Sequence, residues 1–163
     1  ESIKKFRDNG ITLYGTFVFG YDNDTEDDIK RTLDFAINEK INLAAFNHLV
    51  PFPGTPLYNR LKNEGRLLDN EWWLKDNYRF GDVTFMPKNF SPERLSELCY
   101  QARCDFYSYK SIAKRVWEFS ANSKDLYTAA MSIYINLVSL NGVKERQRWP
   151  VGEVISKKEF AYR

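Results

Sequence analysis

The sequence contains few of the residues that bind metals or form covalent cross-links. Its 163 residues include two cysteines and one histidine. Cys99 and Cys104 lie five positions apart in a strongly helical pattern, where an intrachain disulfide has poor geometry. The chain therefore lacks the disulfide framework of small secreted domains, and we expect a reducing, cytoplasmic location.

A strong net charge and long apolar runs are also absent. The formal net charge is +2, too close to neutral to indicate a nucleic acid or a membrane surface as partner. No eighteen consecutive residues are all apolar, so the sequence predicts no membrane segment.

No metal-binding spacing occurs either. Asp22, Asp24 and Glu26 alternate like the start of a calcium loop, but Asp27 and Leu33 stand where such a loop needs glycine and glutamate. The spacing of His48 from the two cysteines does not match that of a metal-ligand set. The sequence therefore predicts no metal site, and it contains no Walker-type phosphate loop or nucleophile–base pair.

The composition instead supports a folded α/β domain, because 43% of the residues are hydrophobic and 16% are aromatic. Residues 11–19 and 43–50 are short apolar stretches of the kind covered on both faces in a parallel sheet. Between them, Thr25 and Asp28 form a capping-box pattern that begins an amphipathic helix. This order predicts a βαβ unit with parallel strands.

Helices are predicted to dominate the rest of the chain. Thr55, Pro56 and Gly65 mark the start and end of a short helix, and residues 67–90 form an aromatic-rich connector with a possible short strand at 83–85. Ser91 and Pro92 open a helix of about six turns. A second helix is expected over residues 124–140, with its apolar residues facing inward: Leu126, Ala130, Ile133 and Leu137. The predicted regions are residues 1–66, 67–90 and 91–163.

A binding site is predicted where the two strands end. In an α/β layer, ligands bind beyond the carboxyl ends of parallel strands, here at residues 20–25 and 51–55. Gly20 has no Cβ, so a ligand could approach its backbone closely. If the first strand is considered alone, Gly20 and the acidic residues after it are explained as a turn and a helix cap. The constrained turns at 20–25 and 51–55, which follow two adjacent strands, favour a shared binding site instead. His48, near the end of the second strand, reads either as a hydrogen-bonded core residue or as part of that site.

Two motifs resemble the radical S-adenosylmethionine (SAM) superfamily. GTFVFGYDNDTEDDI resembles the fifth barrel strand and turn of these enzymes, and LVPFPGTPLYNRLKNEGRL resembles the sixth strand and its proline–glycine–threonine–proline turn. The segment FGDVTFMPKNFSPERL is most similar to the cobalamin-binding branch, in which a helical extension follows the barrel. Asp22 and Asn23 depart from the pattern, since many relatives have proline and glycine there.

The resemblance implies a partial parallel (β/α) barrel fragment followed by an α-helical extension. It also implies an enzyme with a 4Fe-4S cluster, SAM and cobalamin, acting on a small-molecule substrate by way of a 5′-deoxyadenosyl radical. By family analogy the cofactor-binding residues are those at the rim: Val18, Gly20, Asp24, Thr25, Val50 and Pro51. The resemblance assigns no catalytic residue.

The three cluster-binding cysteines of this superfamily have no counterpart in the sequence. We therefore expect the chain to be a C-terminal piece that needs the N-terminal part of the same protein and has neither activity nor a cofactor alone. An open strand edge at residues 11–19 or 43–50 predicts self-association. The alternatives are a free-standing helical interaction module and a nucleic-acid accessory domain; cysteines encoded upstream of Glu1 would favour the enzyme.

Overall fold

The computed structural model describes residues 2–117 and 124–150. Within them the fold is mixed α/β, with two parallel strands, six helices and a short 3-10 turn at Trp72–Leu74. The strands are β1 (Tyr14–Phe19) and β2 (Leu43–His48). The helices are α1 (Ser2–Asp8), α2 (Glu26–Asn38), α3 (Pro56–Asn63), α4 (Pro92–Phe106), α5 (Tyr109–Trp117) and α6 (Leu126–Arg146).

The predicted βαβ unit is confirmed. β1 pairs with β2 in parallel from Tyr14 beside Leu43 to Phe19 beside His48, and α2 makes the crossover. Only one face of this sheet is covered, however. Tyr14 is 65% exposed and Val18 38% exposed, so the expectation of strands covered on both faces is wrong within the described residues.

One hydrophobic core joins the three predicted regions, and aromatic rings form its centre. Phe46 of β2 is fully buried and packs 5.2 Å from Phe17 and 5.5 Å from Phe106, measured between ring centroids. Leu95 and Phe85 belong to the same core. Because β2 lies against α4, the helices after residue 90 pack on the same side of the sheet as α2.

The predicted six-turn helix is broken into α4 and α5 at Tyr107 and Ser108. Ser108 Oγ accepts a hydrogen bond from the Ser111 amide and so starts the new helix. The Tyr107 hydroxyl donates to the Ala44 carbonyl at 2.9 Å and accepts from the Ala44 amide at 3.2 Å. The break therefore attaches the end of α4 to β2.

The inward face predicted for α6 is wrong. Leu126 is 87% exposed and Ile133 is 41% exposed, whereas the buried positions are Ser132, Asn136 and Leu140. Asn136 faces the core because its Oδ1 accepts from the fully buried Arg115 at 2.9 Å, and its Nδ2 donates to the Ser132 carbonyl one turn earlier at 2.7 Å. Of the helices in the described residues, α6 alone has a length and composition that would allow it to cross a membrane, a criterion that core helices of soluble proteins also meet.

Candidate functional site

β1 and β2 end side by side, as predicted. The Leu49 amide donates to the Phe19 carbonyl at 2.8 Å, so the pairing continues to the last residues of both strands. The two loops that follow therefore leave from the same edge of the sheet, where an α/β layer places its ligands.

The turn after β1 is closed by Asp24. Its Oδ2 accepts from the amides of Gly20 at 2.8 Å and Tyr21 at 3.0 Å, which fixes the path of the chain out of the strand. Gly20 has φ +100°, and a Cβ built there would lie 2.7 Å from Leu95 Cδ2. The lack of a side chain at Gly20 therefore serves packing against α4, and a role for Gly20 and Asp24 in ligand binding stays a prediction.

The predicted capping box at the start of α2 is confirmed. The Thr25 amide donates to Asp28 Oδ2 at 2.9 Å, and the Asp28 amide donates to Thr25 Oγ1 at 3.3 Å. The Thr25 hydroxyl and the Arg31 guanidinium hold the pKa of Asp28 at about 2. The side chains of Thr25 and Asp28 are therefore used to cap the helix. Thr25 contributes to the rim by fixing where α2 begins.

Asp22 anchors the same turn to more distant parts of the chain. Its carboxylate pairs with Arg66 at 2.9 Å, Arg60 at 3.0 Å and Lys88 at 3.3 Å. The hydrogen bond from Arg66 is the main reason that the pKa of Asp22 is lowered. Sequence analysis noted Asp22 in a rejected calcium-loop pattern and as a departure from a family pattern, but not as an anchor, since its partners lie far along the chain.

A cleft of about 390 Å³ opens at this rim. Val18 and Val50, two of the predicted cofactor-binding residues, line one part of it. Pro51 is fully buried, and its carbonyl accepts from the Trp72 indole at 3.4 Å. The structure thus brings Val18 and Val50 to one cleft, while Gly20, Asp24, Thr25 and Pro51 shape its surroundings.

The remainder of the cleft carries aromatic and polar side chains. Its other lining residues are Asn47, His48, Phe52, Tyr78, Phe80, Gly81 and Arg103. Arg103 was missed by sequence analysis, although one signal was present: it lies four residues after Cys99 and three before Phe106, on the apolar stripe of α4. A cation on such a stripe indicates a buried polar contact.

His48 lies in the cleft as a mainly neutral imidazole. Its Nδ1 is 3.0 Å from the Leu49 carbonyl, so this nitrogen carries the proton in the neutral ring. Burial lowers the pKa of His48 from its ordinary value of 6.5; Arg103 adds to this effect, and Asp82 opposes it.

This lowered pKa predicts a loss of stability in mild acid. Because the unfolded chain binds the proton more readily than the folded one, the free energy of unfolding should fall as the pH is lowered from 7 through 6.5 toward the folded-state pKa. Urea denaturation of the wild type and of His48→Gln over pH 5–8 measures the effect. Parallel pH profiles for the two proteins would refute this assignment.

The described residues do not fit an iron–sulfur cluster. Among residues 2–117 and 124–150 there is no group of three or more histidine, cysteine or acidic side chains placed to hold a metal ion. Cys99 is buried, and burial raises its pKa to about 12, so it stays a thiol. A cluster would require three thiolates that this chain does not supply.

Comparison with known proteins gives one family match and several relatives. Residues 55–151 match a family described as a domain of unknown function, DUF4070. The bacteriochlorophyllide d C-12(1)-methyltransferase of Chlorobaculum tepidum is 34% identical over 106 residues, which are 65% of this chain and 22% of the relative. The hopanoid C-2 methylase of Rhodopseudomonas palustris is 31% identical over 86 residues, 53% of this chain and 15% of the relative.

A third relative is the anaerobic magnesium-protoporphyrin IX monomethyl ester cyclase of Cereibacter sphaeroides. It is 25% identical over 117 residues, which are 72% of this chain and 18% of the relative. The chain thus spans less than a quarter of the length of each of these relatives. No solved structure matches it significantly.

Proposed function

The chain belongs to the DUF4070 family, whose domain is found in the C-terminal part of cobalamin-binding radical SAM methyltransferases. From this premise we propose that the chain completes the SAM-binding rim of such an enzyme. In this proposal β1 and β2 are the last two strands of a partial (β/α) barrel, and the helices after residue 90 form its extension. The observation that carries it is the cleft at the carboxyl ends of the two parallel strands.

The bare face of the sheet supports the barrel. Tyr14, Thr16 and Val18 alternate along β1 and are all exposed, and Asn47 of β2 is exposed beside Val18. α2 and α4 cover only the opposite face. Helices on the outer face with a free inner face are what two strands of a (β/α) barrel present when considered alone.

The rim residues suit the adenosyl part of SAM. Val18 and Val50 supply an apolar slot at the end of the strands, of the kind that receives a flat purine. The Trp72 indole holds the Pro51 carbonyl, and Asp24 holds the turn at Gly20, so both walls of the slot are fixed. When bound, SAM supplies a sulfonium group from which a methyl or adenosyl group is released.

Methyl transfer is the reaction class that the relatives favour. Two of the three relatives described above are named for it, and the third is a cyclase. We infer that the cluster-binding cysteines and the cobalamin site belong to other parts of such an enzyme, because the residues described here do not fit a cluster.

The proposal predicts that the chain binds the adenosyl group on its own, weakly. With 5′-methylthioadenosine as probe, methyl NMR signals of Val18 and Val50 should shift with a dissociation constant on the order of 1 mM, because only one wall of the full site is present. Ile29 of α2, buried in the core and not among the residues that line the cleft, is the internal control.

A matched pair of variants makes this test specific. Val18→Asp places a carboxylate in the slot and should abolish the shifts, whereas Val138→Asp, at an exposed position of α6, should leave them unchanged. Absence of shifts at several millimolar probe, or equal losses in both variants, would exclude an adenosyl site here.

One observation favours the alternative of a helical interaction module. α6 presents apolar side chains to the outside, with Tyr127 75% exposed, Tyr134 64% exposed and Val138 51% exposed. Such a helix face is typical of a docking surface. It does not conflict with the enzyme proposal, because the extension of a barrel can carry a second interface.

A further inference from the structure

Arg103 is a cation in the cleft that the adenosyl proposal does not use. Its guanidinium donates from Nη2 to Gln147 Oε1 at 3.2 Å, and the ring centroid of Phe80 lies 5.5 Å from its Cζ. Its Nε–H is buried and meets no acceptor in the part of the chain that the structure describes. In that part no carboxylate lies within ion-pairing distance of Arg103, although two other residues of α4, Arg94 and Glu97, do form ion pairs.

This arrangement is unfavourable for the chain alone. Burial lowers the pKa of Arg103, which shows that the charged form loses hydration. A buried donor without an acceptor adds a further penalty. Arginine is the side chain that proteins favour for recognising carboxylate and phosphate groups, and such a group from a ligand would complete the hydrogen bonds of Arg103.

The walls beside Arg103 are flat and aromatic. Phe52 and Phe80 line the cleft and are 59% and 42% exposed, and the half-buried Tyr78 also lines it. Trp72 supports two of these rings, with its centroid 4.9 Å from Tyr78 and 6.4 Å from Phe52. Exposed rings held in place by a buried partner are suited to stacking on a flat conjugated ligand.

The other charged and titratable groups near Arg103 do not cancel its positive charge. His48 is neutral near pH 7, and its Nδ1–H is used by the Leu49 carbonyl. Asp82 forms no ion pair with Arg103 in the part of the chain that the structure describes, and its Oδ2 accepts the Arg79 amide at 2.8 Å. Cys99, four residues before Arg103 on α4, is a thiol.

We propose that the part of the cleft formed by Phe52, Tyr78, Phe80 and Arg103 binds a flat conjugated ring that carries a carboxylate. Calling this ligand the substrate rests on the proposed function, in which the adenosyl group lies at Val18 and Val50. The binding itself stands on the cleft alone. The cleft as a whole, including the part at Val18 and Val50, has a volume of about 390 Å³, within the range of small-ligand sites.

The test uses two probes that share one ring system, 2-naphthoate and 2-naphthamide; the first carries a negative charge and only acceptors, and the second is neutral and carries an N–H donor. Calorimetric titration of the chain should show naphthoate binding about ten-fold more tightly than the amide, the discrimination expected of a charge-assisted hydrogen bond in a partly buried site. Arg103→Gln should reduce this ratio to about one while still binding both probes through the aromatic walls. Arg103→Lys, which keeps the charge, should retain part of the preference.

Arg94→Gln is the matched control. Arg94 is on the same helix, but it pairs with Glu26 and Glu97 outside the cleft, so the preference should be unchanged. Equal affinities for the two probes in the wild type, or a preference that survives in Arg103→Gln, would overturn the proposal. Thermal unfolding of each variant confirms that it is folded before titration.

The result is separable from that of the adenosyl test. A carboxylate preference without shifts from 5′-methylthioadenosine would leave this subsite standing and remove the proposed function. Shifts at Val18 and Val50 without any carboxylate preference would do the reverse.

Discussion

Replacing Arg115 by methionine is expected to lower the free energy of unfolding by about 3–5 kcal/mol, because several buried acceptors would lose their donor at once. Arg115 has no exposed surface, and it donates to the carbonyls of Ile41, Asn42 and Phe106 at 3.0, 2.6 and 2.8 Å. Its guanidinium also lies 3.8 Å above the Phe106 ring. Burial lowers the pKa of Arg115 to about 10, so the group is charged at neutral pH.

The measurement is urea denaturation followed by circular dichroism. Lys110→Met, on the exposed side of the same helix, is the control and should change stability by about 0.5 kcal/mol or less. Arg115→Lys keeps the charge but loses the planar fork, so it should be nearly as damaging as the methionine variant. A loss below 1 kcal/mol for Arg115→Met would show that the network contributes little.

Gly20→Ala should destabilise the chain by about 2–4 kcal/mol, the second-largest effect that the structure predicts. Two costs add at this position: φ is +100°, and the new methyl group would lie 2.7 Å from Leu95 Cδ2 and 3.3 Å from Phe85 Cζ. Gly54→Ala separates the two costs, because Gly54 has φ +81° and no atom within 4 Å of an added Cβ. Gly54→Ala should therefore cost only about 1 kcal/mol.

A double-mutant cycle tests the steric part. In a Leu95→Ala background the cost of Gly20→Ala should fall toward that of Gly54→Ala, since the methyl group that it meets has been removed. Equal costs for Gly20→Ala and Gly54→Ala in the wild-type background would show that the contact with Leu95 is not limiting.

The elements that sequence analysis predicted well are those fixed by neighbouring residues. The two strands, the Thr25 capping box and the short helix from Thr55 to Gly65 depend on side chains a few positions apart. Their signals are local, so one sequence is enough to identify them.

The errors arise where distant residues decide the outcome. α6 is apolar on its outer side and has the polar Asn136 on its buried side, because a buried guanidinium from another helix requires an oxygen acceptor there. The part of the cleft that is proposed to bind the conjugated ring likewise joins Phe52, Tyr78 and Arg103 from three separate segments. Hydrophobic periodicity assigns each residue a face, but it contains no information on which side chain from elsewhere will meet that face.

The bond between Tyr107 and Ala44 determines the direction in which this sheet can grow. The amides of Leu43 and Leu49 bond to β1, so the peptide groups of alternate residues, including Ala44, point to the other side of β2. On that side the Tyr107 hydroxyl bonds to both the N–H and the C=O of Ala44, which a further strand would need for pairing. The tyrosine therefore blocks strand addition at this residue. In the described residues β1 pairs only with β2, so a strand from elsewhere in a longer protein, or from a second copy, would be added more readily beside β1 than beside Ala44.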